Sequence, residues 1–349
     1  MSLTFATFLA QASSFPVLWL ILLLVLLVTI VSGATDAPNA IATVVSTRCL
    51  KPGVAIALAA VFNFVGLVGM TYISTSVAHT MFSMVDFSGD THAALLALVA
   101  AMIGSIGWGV FCWALGIPAS KSHSLIAGIT GGAIALNGWS GVVPGEWVKV
   151  IYGMVFSLAA GFALGWLVTK GVELLCRRMN RARTTTFFVA MQDVLAAVLS
   201  FLHGAQDGQK FMSIGLLGMA LSLGESSPGT ASFPLWMMLV CSLAISLGTA
   251  VGGKRIIKSV AMDMVHLEVY QGACASLATS VTLLVASLTG MPVSTSHAST
   301  ASIMGVGASR SLRRVKWSVA GNMVLAWVLT FPCCGLIGFG LAKAFLALF

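Results

Sequence analysis

Two short stretches of this chain could do chemistry inside an otherwise apolar sequence. One is Gly33-Ala34-Thr35-Asp36-Ala37-Pro38-Asn39. The other is His203-Gly204-Ala205-Gln206-Asp207-Gly208-Gln209-Lys210. Each sets an aspartate three residues after a glycine, at the end of a long hydrophobic run. A second pair follows the same order: GIPASKSH at 116–123 and GMPVSTSH at 290–297. Carboxylate and amide oxygens suit a hard cation or a proton, and hydroxyls can donate to the oxygens of an anion. Two motifs that recur in the same order at nearly the same separation indicate an internal duplication.

The elements that carry these motifs are dictated by composition. Of the 349 residues, 58% are hydrophobic and 8% are charged, whereas a soluble domain carries about 25% charged residues. The chain therefore reads as an all-α polytopic membrane protein. Long apolar runs at 16–32, 54–73, 93–115, 150–169, 187–202, 234–251, 270–289 and 317–348 are each near the ~20 residues of a spanning helix. Shorter runs at 34–47, 117–136, 209–223 and 292–308 are interrupted by Gly and Ser and read as broken or re-entrant pieces. Together they predict 10–12 helical segments. The seven cysteines lack metal-site spacing and read as small buried residues. No basic region precedes the first apolar run, which is expected to be a retained span.

Basic residues orient the chain. If 16–47 and 187–223 each make one broken crossing, and 117–136 and 292–308 each cross too, the clusters Arg48/Lys51, Lys170–Arg183, Lys254/Arg255/Lys258 and Arg310–Lys316 share the cytoplasmic side. The N- and C-termini then lie outside. All but four of the 18 Lys and Arg fall in these clusters; Lys149 and Lys343 are outside, Lys121 and Lys210 within the membrane. The net charge of +8 is thus a positive-inside bias and points to no nucleic acid. Each half then holds about five crossings, and an odd number inverts the second half. The expected organisation is a first inverted repeat at 1–176, a basic cytoplasmic linker at 177–186 and a second inverted repeat at 187–349. Inverted repeats with broken helices are the physical signature of alternating access, with the site at the midplane.

GATDAPNA and HGAQDGQK resemble the paired GANDVANA and HGANDVANA signatures of the inorganic phosphate transporter (PiT) family. GIPASKSH and GMPVSTSH resemble its paired G-x-P-x-S-[ST]-[ST]-H segments, and the stretch from Gly253 to Gly290 resembles the family's approach to the second of these. The chain looks like a divergent bacterial-type member, which places it in a bacterial cytoplasmic membrane. The resemblance implies a symporter, not an enzyme, that moves inorganic phosphate with sodium ions or protons and needs no further cofactor. It also implies phosphate held by Ser120, Lys121, Ser122, Ser294, Thr295 and Ser296. Coupling cations would be held by Asp36, Asn39 and Asp207 with Thr35 and Gln206, sodium being a candidate at Asp36 and Asp207. His123, His203 and His297 would support the site.

A carboxylate at membrane depth is a functional hypothesis by default, although Asp36 and Asp207 could instead serve structural pairs. The hydroxyls could equally pack helices together. Three histidines invite a metal-transport reading, yet no His-x-x-His or Cys/His cluster accompanies them. Asp193 stands between site wall and helix packing; Gln192, Glu268 and Gln271 lie at span edges. Thr35 and Gln206 replace an Asn of the family pattern, Lys210 replaces the later Asn, and Lys121 replaces a Thr. A lysine could therefore stand in for one coupling cation, neutralise an aspartate, or snorkel. These changes leave sulfate or another oxyanion as an alternative substrate. An anion channel on the same fold, an intramembrane enzyme using Ser-Lys or Ser-His and a metal-cation transporter remain the rival functions. The chain could also assemble with copies of itself.

Overall fold

The computed structural model describes residues 3–114, 119–225, 233–252 and 266–349. Gly116–Pro118, which open the first hydroxyl segment, lie outside them. So do Lys254, Arg255 and Lys258, and the start of the stretch from Gly253 to Gly290. The described residues form thirteen α-helices: α1 (Phe5–Ser14), α2 (Val17–Thr35), α3 (Pro38–Ser46), α4 (Pro52–Ile73), α5 (Ser76–Ser83), α6 (Thr91–Ala114), α7 (Lys121–Asn137), α8 (Pro144–Leu175), α9 (Arg181–Ser222), α10 (Leu235–Gly252), α11 (Val269–Leu288), α12 (Thr295–Arg310) and α13 (Trp317–Leu348). Two exceed the apolar runs read from the sequence as segments: the short helices α1 and α5 have no spanning length.

Eight segments of the described residues are long and apolar enough to cross a bilayer: Val17–Ser46, Pro52–Ile73, Thr91–Cys112, Pro144–Leu175, Arg181–Ser222, Leu235–Gly252, Val269–Leu288 and Ala320–Leu348. The chain is an integral membrane protein. Its solvation is that of a bilayer protein: Trp19, Leu23 and Leu27 of α2, Val61 and Val65 of α4, and Val328 and Leu336 of α13 face outward. Asp36, Asn39, Asn63, Lys121, Asp207 and Lys210 are buried.

The two aspartate motifs fold differently. The first is broken, as expected: α2 ends at Thr35 and α3 starts at Pro38, because proline brings no N–H to the helical ladder and is tolerated at the first position of a new helix. The second was expected to break within 187–223 and does not. Helix α9 runs without interruption from Arg181 to Ser222, with His203–Lys210 in its interior. Gln209 stands where the first copy has Pro38, so every backbone donor is kept. Gly204 and Gly208 serve packing there instead of a break.

Packing relationships come in matched sets. Helix α2 packs on α10 and α4 on α9; α7 packs on α13 and α12 on α8. Glycines set the closeness of each crossing. A Cβ on Gly33 would run into the Ile245 carbonyl of α10, and one on Gly204 into the Asn63 carbonyl of α4. In the second set, Gly131 faces the Gly335 carbonyl of α13, and Gly305 faces the Phe162 carbonyl of α8. Lipid offers no hydrophobic drive between helices, so such close van der Waals contact is what holds them together.

Candidate functional site

The two hydroxyl segments become the N-termini of α7 and α12. Ser120 caps α7 by accepting from His123 N at 3.3 Å, and Ser294 caps α12 by accepting from His297 N at 3.4 Å. Such caps are worth about 1 kcal/mol each, and helix N-termini favour anions. The two histidine rings meet edge to face with centroids 4.4 Å apart, so the two helix starts lie side by side inside the protein. His297 also lies 3.7 Å from the Trp327 ring, and His123 4.9 Å from Phe331. All four ring nitrogens of the histidine pair are buried without a hydrogen-bond partner.

The second serine of each hydroxyl segment, called the hairpin serine below, reaches the aspartate of the other motif. Ser296 Oγ donates to Asp36 Oδ1 at 3.4 Å, and Ser122 Oγ donates to Asp207 Oδ1 at 3.4 Å. The residue three places after each aspartate then donates to the same serine. Asn39 Nδ2 reaches Ser296 Oγ at 2.8 Å, and Lys210 Nζ reaches Ser122 Oγ at 2.9 Å. The two triangles differ in charge. Lys210 also lies 2.9 Å from Asp207 Oδ1 and donates to the Val293 carbonyl. A buried ammonium with a carboxylate and two further oxygens is well satisfied. On the other side, Asp36 has no ion pair among the described residues, and Asn39 Oδ1 is buried without a partner.

Asp207 has one further hydrogen bond and one close ring nitrogen, the latter without hydrogen-bond geometry. Ser32 donates to Oδ2 at 3.1 Å, and His203 Nε2 lies 3.3 Å from the same oxygen. His203 Nδ1 is 2.9 Å from Asn63 Oδ1, and Asn63 in turn donates to Thr249 at 2.9 Å. Sequence reading missed Ser32 and Asn63. Asn63 was the findable one, a lone amide inside the apolar run 54–73.

Other expected site residues spend their groups elsewhere. The Thr35 hydroxyl donates to the Val31 carbonyl of its own helix at 2.8 Å. Gln206 donates to Ser287 at 2.9 Å, leaving its carbonyl oxygen without a partner. Thr295 lines a small cavity of about 10 Å³ with Asn39, His203, Leu283 and Ser299. Lys121 is buried, and its one hydrogen bond among the described residues is a long one, 3.5 Å to the Ala119 carbonyl. Gln192 accepts from Thr47 and donates to the Val269 carbonyl, a structural role at the end of α3. Glu268 and Gln271 form a capping box at the start of α11. Among the described residues no group of three or more His, Cys, Asp or Glu could hold a metal ion.

On the side of the basic clusters a cavity of about 880 Å³ opens, lined by Arg48, Arg177, Arg181, His266, Glu268 and Arg310 among others. The wall at Arg310 is pinned by ion pairs to Glu173 at 3.2 Å and Glu268 at 3.1 Å.

A helical bundle with apolar walls and a buried, charged, hydroxyl-rich centre belongs to the class of membrane transporters. The chain is a member of the phosphate transporter family, which it matches over residues 32–338. It is 36% identical over 319 residues to a probable low-affinity inorganic phosphate transporter of Bacillus subtilis (strain 168), covering 91% of this chain and 94% of that protein. A protein of the same description from Rhizobium meliloti (strain 1021) is 36% identical over 325 residues, covering 93% and 95% of the two chains. One from Mycobacterium tuberculosis (strain ATCC 25618 / H37Rv) is 35% identical over 332 residues, covering 92% and 77%. Among solved structures, one described as "The sodium-dependent phosphate transporter" superposes with a TM-score of 0.87 at 20% identity, covering 96% of this chain and all of that one. That likeness is one of fold.

Proposed function

We propose that this chain is a symporter that moves inorganic phosphate across a bacterial cytoplasmic membrane, coupled to sodium ions or protons. The observation that carries the reading is the crossed pairing of Ser296 with Asp36 and Ser122 with Asp207. Each anion-binding hairpin is tied to the cation-binding motif of the opposite half, so occupancy of one kind of site biases the other. The hydroxyls of Ser120, Ser122, Ser294, Thr295 and Ser296, with the Lys121 ammonium, bind phosphate where α7 and α12 begin. Asp36 and Asn39 hold the cation, and the histidines set the hairpins. Thr35 and Gln206, whose donors are spent within the protein, contribute through packing.

The matched sets of helix crossings and their glycines favour two inverted repeats, 1–176 and 187–349, joined by the basic segment 177–186. Alternating access then works by rocking one set against the other. The cavity lined by arginines is the cytoplasmic vestibule, with both termini on the outer face. Names of the relatives above support phosphate as the substrate.

The test is uptake of labelled phosphate into proteoliposomes holding the purified protein, with sodium gradient, pH gradient and voltage varied separately and excess sulfate present. Accumulation driven by one cation gradient and indifferent to sulfate is expected. Sulfate accumulation in its place keeps the fold and replaces the substrate. Downhill flux that ignores both gradients means a channel.

A further inference from the structure

The two cation triangles are alike in every position but one. Asp36, Asn39 and Ser296 form the first, and Asp207, Lys210 and Ser122 the second. In both, the residue three after the aspartate donates to the hairpin serine, at 2.8 Å from Asn39 and 2.9 Å from Lys210. In both, that serine donates to the aspartate at 3.4 Å. The difference lies in what remains. The first triangle keeps an unpaired carboxylate and a buried amide oxygen, Asn39 Oδ1, that nothing satisfies. Three oxygens with no positive charge among them lack a cation of about one charge, because an unpaired buried carboxylate in hydrocarbon is costly. The second triangle already holds that charge: the Lys210 ammonium touches Asp207, Ser122 and the Val293 carbonyl.

We infer that Lys210 is a built-in cation occupying one of two equivalent cation positions, so that each transported phosphate is coupled to one mobile cation fewer than in a transporter with an amide at this position. The mobile cation, a sodium ion or a proton, binds only at the Asp36–Asn39 triangle. This rests on the symport reading above.

Lys210 suits the role and Lys121 does not. Lys210 is fixed on an unbroken helix and meets three acceptors, while Lys121 makes a single long bond to Ala119 and acts on Asp36 only from beyond contact distance. Neutralising Asp207 by a covalent charge also predicts that the second half of the site keeps its arrangement whether or not cation is present. Only the first half then responds to cation.

The experiment counts cations per phosphate in proteoliposomes, with labelled sodium in one arm and a pH-reporting dye in the other, for the unmodified protein, Lys210→Asn and Asn39→Lys. Lys210→Asn is expected to move one more cation per phosphate, with a correspondingly steeper dependence of uptake on cation concentration. It should also gain a cation-dependent rise in Tm beyond that of the unmodified protein. Asn39→Lys fills the other triangle and is expected to carry phosphate downhill with no cation gradient able to drive accumulation. An unchanged cation count in Lys210→Asn overturns the inference while leaving symport intact. If Lys210→Asn does not fold, cation-driven accumulation by Asn39→Lys overturns it equally. An unmodified protein whose flux ignores both gradients overturns the symport reading itself.

Discussion

Gly109 of α6 lies beneath the stem of Lys121: a Cβ at position 109 would stand 3.1 Å from Lys121 Cε and 3.2 Å from Cδ. At the corresponding places in the second half, Leu283 and Thr295 both line one small cavity. A long side chain on the hairpin is thus matched by glycine on the helix behind it, and a short one by leucine. Gly109→Leu is expected to push the Lys121 ammonium out of its place and reduce phosphate uptake strongly. The double variant Gly109→Leu, Lys121→Thr should regain stability relative to the first. A double-mutant cycle on thermal unfolding should read a favourable coupling within the range of about 0.5–3 kcal/mol usual for residues in contact. Strict additivity would mean that the two positions do not share the space.

Asn63→Leu removes the partner of His203 Nδ1 and the donor to Thr249 together. Leaving a buried ring nitrogen unsatisfied costs about 1–3 kcal/mol. His203 is then free to turn from Asp207, 3.3 Å away, so uptake is expected to fall along with Tm. A variant with unchanged uptake would show that His203 needs no such positioning.

Gly33→Val and Gly204→Val should both fail to assemble properly, because each would press a branched side chain into a carbonyl of the facing helix. Overpacking of this kind costs about 1–3 kcal/mol, and here the obstacle is backbone, which gives little. The expected readout is a loss of monodisperse protein on size exclusion. Normal yield from either would mean that the two helices at that crossing stand further apart.

Thr43 Oγ1 and Ser276 Oγ lie 2.7 Å apart, one helical turn below Asn39 on α3, and Thr47, one turn further, lines the basic cavity. This pair stands between Asn39 and the basic cavity. Thr43→Val with Ser276→Ala should weaken the closure and raise phosphate leak toward the basic side severalfold. The change in stability should be only about 1 kcal/mol, the net worth of one buried hydrogen bond. Leak equal to that of the unmodified protein would mean that the seal lies elsewhere.

Much of this was legible before any coordinates. The span positions followed from apolar runs, since bilayer thickness and helix rise leave little freedom. Asp36, Asp207 and the hairpin serines stood out because polar groups are rare in such runs. The crossing of the halves was not legible, because which aspartate a serine reaches depends on helix packing and not on motif order. Nor were the structural bonds of Thr35 and Gln206, whose neighbours are set by the same packing. The intact second motif was legible in the sequence: Pro38 has no counterpart at Gln209, so nothing there interrupts the helical ladder.

The difference between a cut helix and a whole one has a mechanical side. Helix α9, of 42 residues, is a rod roughly 63 Å long. It carries His203, Asp207 and Lys210 on one stiff body that begins among the arginines near Arg181. Asp36 sits at a joint, and a separate short helix, α3, runs from Asn39 toward the basic cavity. In the alternating-access reading proposed above, one half of the site is a stator and the other a hinge. Motion that opens the centre toward the basic cavity would be taken up where Pro38 interrupts the chain, and lengthening α2 through that joint by Pro38→Ala should slow turnover more than it weakens binding.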